Sequence, residues 1–228
     1  MEIKIFPDAD AVAQAAAGLL AAEAREAIAA RGRFVIAVSG GKTPWAMLRA
    51  LAEEQVPWSG LEIVQVDERV APVGHPDRNL THMQESLLDR SPLRPERIHP
   101  MPVERTDLEA GAAEYAQALA ALAGAPPVLD VVHLGLGPDG HTASLVPGDP
   151  VLDVTDRDVA ITGVYQGRQR MTLTYPAINR ARMILWLVTG AEKHEILQRL
   201  LAADSSIPAG RVRQDNAVVL ADLAAATS

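Results

Sequence analysis

Apolar runs of strand length alternate with helix-period segments along most of the chain. Residues 3–6 predict a short strand, and Asp8 or Asp10 is placed to cap a helix running to about Arg31. Residues 34–38 form a continuous apolar run, the pattern of a strand buried on both faces. Runs at 61–66, 128–134, 183–188 and 217–220 have the same character, while 159–162 and 171–174 are weaker strand signals. Between them, Leu108, Tyr115, Leu119 and Leu122 share one face of a helix predicted over 106–122, with Thr106 and Glu109 as a capping box. Thr189 and Glu192 form a second such pair ahead of Ile196, Leu197, Leu200 and Leu201. Gly124 is placed to end the first of these helices, so 124–127 reads as a turn and not as a domain boundary. This β-α alternation predicts an α/β fold: a single domain over residues 1–228, built on a doubly wound, mostly parallel sheet flanked by helices.

Composition narrows the chemistry. The 228 residues include no cysteine, which excludes disulfides, thiolate metal sites and a cysteine nucleophile and suits a cytoplasmic location. Apolar residues make up 48% and charged residues 22%, ordinary globular usage that argues against disorder. Residues 1–7 lack the apolar core of a signal peptide, and no run approaches the ~18 apolar residues of a membrane span. The net charge of −8, with no block of Lys or Arg, argues against a nucleic-acid partner. It leaves an anionic small molecule open, because a few local donors outweigh a distant net charge.

Four segments carry candidate chemistry. Ser39-Gly40-Gly41-Lys42-Thr43-Pro44 follows a buried strand, with Thr43 suited to the N-cap and Pro44 to the first helical position. Free N–H groups at such a helix start favour an anion, although the same sequence also suits a turn that binds nothing. Ile36 stands where a nucleotide P-loop requires glycine, so that reading fails. Asp67-Glu68-Arg69 sits at a strand's carboxyl end, where open α/β sheets bind ligands, or else forms a local salt bridge. Gly135-Leu136-Gly137-Pro138-Asp139-Gly140-His141 contains G-x-G-x-x-G, but Pro138 and Asp139 put a turn where a dinucleotide fingerprint starts its helix. An imidazole titrates near neutrality, so His141 is a candidate proton carrier that Asp139 can orient; alternatively it caps a backbone group. Arg168 and Arg170 can clamp a phosphate or simply flank a strand. Lys193, predicted in a first helical turn, opposes the helix dipole by ~0.5 kcal/mol unless an anion binds there or the side chain reaches solvent. No G-x-S-x-G elbow, zincin motif or metal site is evident.

In this order, the motifs resemble the 6-phosphogluconolactonase family, within the wider glucosamine-6-phosphate isomerase/6-phosphogluconolactonase group. The resemblance rests on Ser39-Gly40-Gly41, Asp67-Glu68-Arg69 with His75, Asp77 and Asn79, the run from Gly135 to Leu145, Met171-Thr172-Leu173-Thr174 with Pro176 and Asn179, and Gly190 with Lys193. It implies a Rossmann-like, NagB-type fold and hydrolysis of a phosphorylated sugar lactone without metal or organic cofactor, by a monomer or small homo-oligomer. It also implies catalytic roles for His141, Asp139, Asp67 and Arg69. Ser39, Gly40, Gly41, Asn79, Lys193 and one of Arg168 or Arg170 would then hold substrate. The sister activity, glucosamine-6-phosphate deamination, goes with an acidic residue five positions after the shared histidine, where this chain has Val146, and with Asp-Glu-Tyr in place of Asp67-Glu68-Arg69. A non-catalytic sugar-phosphate binder is the other alternative, and it would have no use for a proton carrier. Many lactonases carry a lysine ahead of the Thr-Leu-Thr strand; this chain has Tyr165-Gln166-Gly167-Arg168 instead.

Overall fold

Seven parallel strands in the order β1-β10-β9-β6-β2-β3-β5 form the main sheet of the computed structural model, which describes residues 1–227. These are β1 (Glu2–Phe6), β2 (Phe34–Val38), β3 (Leu61–Gln65), β5 (Ile98–His99), β6 (Val131–Gly135), β9 (Met183–Val188) and β10 (Ala217–Asp222). A second, antiparallel sheet pairs β4 (Asp67–Arg69) and β7 (Val159–Ile161) on either side of β8 (Arg170–Leu173). The weak strand signals near 159 and 171 therefore belong to a separate sheet. The charged triplet after β3, read from sequence as a strand end, is itself a strand.

Alternating side chains divide the core. Phe34, Ile36 and Val38 face one layer, with α1 (Ala9–Arg31), α2 (Lys42–Ala52) and α3 (Asn79–Ser86). Val35 and Ala37 face the other, with α4 (Leu108–Ala123), α5 (Tyr175–Asn179), α6 (His194–Leu201), α7 (Leu223–Ala226) and the small sheet. A stripe of small residues on α1 (Ala13, Ala16, Ala17, Ala21, Ala24) lets it lie close against its neighbours, and fully buried Leu20 anchors it. Asp8 caps this helix by accepting from the Ala11 N–H (2.8 Å), and Gly32 ends it in the left-handed conformation (φ 73°).

Three caps differ from expectation. Asp107, not Thr106, caps α4 by accepting from the Ala110 N–H (3.0 Å). Gly41, not Thr43, precedes α2, and no side chain caps that helix. Gly190 precedes a short turn, Ala191–Lys193, from which α6 continues, so Lys193 ends this turn and Thr189 caps nothing. The reason at the last two sites is shared: the hydroxyls of Thr43 and Thr189 bond each other (2.8 Å) and tie the two loops together. No helix among the described residues is long and apolar enough to cross a membrane.

Candidate active site

The strand order reverses between β2 and β6, and a cavity of about 460 Å³ opens at the carboxyl ends there, as expected for an open α/β sheet. Loops after β2, β6 and β9 line it, together with Asp67, Arg69 and Arg170 from the small sheet. Four cationic side chains (Lys42, Arg69, Arg170, Lys193) face two carboxylates, Asp67 and Glu192. The local charge thus opposes the net charge of −8.

Strand register builds one wall. Arg69 and Arg170 are direct partners across β4 and β8. Like charges placed directly opposite are unfavourable unless something negative accompanies them. Burial lowers the Arg170 guanidinium below its ordinary value; nearby Asp67 opposes that shift and Arg69 adds to it. The Nε atoms of both arginines are buried without a hydrogen-bond partner in the protein, as is Ser39 Oγ. Unpaired buried donors are costly, and here they belong to residues that line a cavity suited to an anion.

Beneath this wall lies Glu68, fully buried and not part of the cavity. Its carboxylate pairs with buried Arg78 (3.1 Å) and accepts from the backbone N–H groups of Arg69, Asn79 and Leu80 (2.8, 2.8 and 2.9 Å). It therefore caps the start of α3 from another element and fixes β4 against it. Asn79 is buried as well. Its amide donates to the Asp67 backbone carbonyl (2.9 Å), and its Oδ1 accepts from Arg69 Nη1 (2.7 Å). Asn79 does not line the cavity; it braces Asp67 and Arg69. A Cβ on Gly40 would meet Asn79 Oδ1 at 1.9 Å, so Gly40 is needed for this close approach.

His141 comes from the loop after β6 and also lines the cavity, with Asp139 beside it. Asp139 Oδ1 is 2.5 Å from His141 Nδ1 and also accepts from the His141 backbone N–H (3.1 Å). Burial pushes the Asp139 carboxyl up, but these bonds outweigh it and hold the group below the usual carboxylate range. The chain reverses tightly here: the Gly137 N–H donates to the His141 carbonyl (2.8 Å), and no helix follows. Asp67 Oδ2 accepts from the buried Ser144 hydroxyl (2.6 Å), which joins this loop to β4.

Arg168 lies in an adjoining pocket that Arg69 and Arg170 also line. It does not line the cavity; its Nε donates to Asp77 (2.6 Å) and its Nη2 lies 3.2 Å from His75. The Arg168 hydrogen bond holds the Asp77 carboxyl below its ordinary value. Ser39, Gly40, Gly41 and Lys193 line the cavity with Arg170. Sequence reasoning gave no site role to Lys42, Glu192 or His133, naming Glu192 only as half of a capping box. His133 is a lone imidazole inside a strand buried on both faces, which was the available signal. β2 and β6 pair only at Ile36↔Val131 and Ala37↔Val132; one residue on, His133 Nδ1 accepts the Ser39 N–H (3.2 Å). A side chain thus supplies the contact where the strand ladder parts.

The sequence pattern of the family described as glucosamine-6-phosphate isomerases/6-phosphogluconolactonase matches residues 7–220. The chain belongs to this family. The 6-phosphogluconolactonase of Synechocystis sp. is 42% identical over 184 residues, 79% of this chain and 76% of that protein. That of Mycobacterium tuberculosis is 38% identical, covering 98% of this chain and 96% of its own. Among solved structures, the 6-phosphogluconolactonase of Trypanosoma brucei superposes with a TM-score of 0.87 at 26% identity, covering 99% of this chain and 97% of that one. A monomeric glucosamine-6-phosphate deaminase shares the fold, with a TM-score of 0.87 at 21% identity.

Proposed function

We propose that this chain, acting as one domain, hydrolyses 6-phospho-D-glucono-1,5-lactone to 6-phosphogluconate in the oxidative pentose phosphate pathway. A base held by a carboxylate, on one wall of a cavity otherwise rich in cations, carries this reading. Asp139 occupies His141 Nδ1, which leaves Nε2 as the nitrogen that takes a proton from water as the water oxygen attacks the lactone carbonyl. When the bond between carbonyl carbon and ring oxygen breaks, the imidazolium returns that proton to the departing oxygen. Water is thus added across one C–O bond, and no metal or organic cofactor takes part.

The remaining groups bind and orient. The phosphate is assigned to residues 39–41, at an α2 start that no side chain caps, together with Lys193. Arg69 is tied through Asn79 to Gly40 and serves the same end, whereas Arg170 stacks on Tyr165 beside His141 and faces the reacting carbonyl. Asp67 accepts from sugar hydroxyls. Holding a remote phosphate fixes the carbonyl against the base, which is where binding energy becomes rate. The absence of cysteine suits a cytoplasmic enzyme.

The test follows lactone disappearance against its spontaneous opening. Wild type should exceed the blank, and His141→Ala should lose roughly 10²–10⁴-fold in kcat, the usual worth of a general base. Wild-type turnover at the blank rate would end the lactonase reading; full activity in His141→Ala would end the mechanism.

A further inference from the structure

The turn between β7 and β8 replaces the lysine-bearing stretch of many lactonases, and it brings one aromatic side chain to the His141–Asp139 pair. Gln166 and Gly167 both have positive φ (51° and 80°), and the backbone N–H groups of Tyr165 and Arg168 each donate to the other residue's carbonyl (2.9 and 3.3 Å). This is a two-residue hairpin turn whose flanking positions are Tyr165 and Arg168. Arg168 pins one side of the turn to the loop between β4 and α3 through Asp77, His75 and the Val70 carbonyl. The other side carries Tyr165 to Asp139 and His141.

We propose that Tyr165 is a positioning residue for the catalytic histidine: its hydroxyl donates to Asp139 Oδ2 (3.2 Å) while its ring packs edge-on against His141 (5.4 Å between centroids) and under the Arg170 guanidinium (4.9 Å). This deepens the lactonase reading and rests on it. Asp139 Oδ1 is already used by the His141 Nδ1 and N–H, so the carboxylate is held from one side only unless Oδ2 has a partner. Tyr165 supplies that partner. Burial and the adjacent Asp139 charge raise the Tyr165 hydroxyl above its ordinary value, so it stays protonated and donates. The ring restricts the imidazole's tilt, and the cation over its face restricts the ring. Tyr165 does not line the cavity, so it acts through Asp139, His141 and Arg170 and not on substrate.

Tyr165→Phe removes the hydroxyl and keeps both ring contacts. Charges facing His141 are Asp139 directly, with Asp67, Glu192, Lys42, Arg69, Arg170 and Lys193 around the same cavity; only the Asp139 contact changes in this variant. With one donor fewer, the carboxylate favours the imidazolium more strongly. The acid limb of the kcat profile should therefore move to higher pH, by about half a unit, and kcat should fall roughly 5- to 20-fold with KM within about twofold. Tyr165→Ala should lose more, since the ring contacts go too. A ring-proton NMR titration of His141, assigned with His141→Asn, should show the same upward shift without substrate. Three results would overturn the proposal: Tyr165→Phe matching wild type in kcat and limb, a rise in KM alone, or a kcat loss with the limb and titration unmoved. Wild type at the blank rate would instead sink the lactonase reading, and the substrate-free titration would still decide on Tyr165.

Discussion

The imidazole of His141 occupies the space in which any side chain at Gly137 would begin: a Cβ there meets its Nδ1 at 2.1 Å. The atom in the way belongs to a side chain that can swing, and Gly137 has no positive φ that would bar alanine. Gly137→Ala should therefore fold, with Tm within about 2 °C of wild type, and displace the base. Displacement of about an ångström at a reacting group is worth roughly 100-fold, so kcat should fall by that order. Parallel melting curves and lactone assays check this; equal activity would show that the ring has slack. The same logic explains how this part of the site was legible in sequence. Asp139 and His141 are two residues apart in a turn, so local pattern suffices. Tyr165 lies in the turn between β7 and β8, and no local pattern shows that its hydroxyl ends on Asp139.

Elements were legible where both faces of a strand are apolar, as in β2 and β9, and illegible where a polar residue finds its partner from afar. β4 consists of three charged residues that read as the end of the preceding strand, but Glu68 is satisfied by Arg78 and by the backbone of α3. Thr189 has the spacing of a cap and spends its hydroxyl on Thr43 instead. β5 has two residues, too few for any periodicity. His133 is the counterpart inside β6: burial pushes its imidazole down to about 3, so it is neutral in the folded chain. Unfolded, it titrates near ~6.5, so below that pH the unfolded state binds a proton that the native state does not. This group's contribution to stability is therefore present at neutral pH and is lost as pH falls from about 6.5 toward about 3. His133→Asn keeps an acceptor for the Ser39 N–H without titrating. Its Tm should depend less steeply on pH than wild type between roughly pH 4 and 6.5; superimposable slopes would contradict the assignment.

At the scale of the whole molecule, the cavity is where the two sheets meet: β2, β6 and β9 send their loops into it from one, β4 and β8 their side chains from the other. A ligand that bridges these walls stabilises the folded chain by linkage. At 100 times its Kd the product 6-phosphogluconate should add about 2.7 kcal/mol, or roughly 5–10 °C in Tm for a chain of this size. Lys193→Met should need more product for the same shift, and an unchanged midpoint would remove Lys193 from the anion site. The same convergence limits how the sequence can drift. Gly40 and Asn79 share one space, the amide oxygen lying where a Cβ would stand. Any larger residue at 40 demands a smaller one at 79, and shortening Asn79 takes away one of the two acceptors of Arg69, leaving the Asp77 carbonyl. Neither position has a neutral first step, so this corner of the site is held by mutual exclusion.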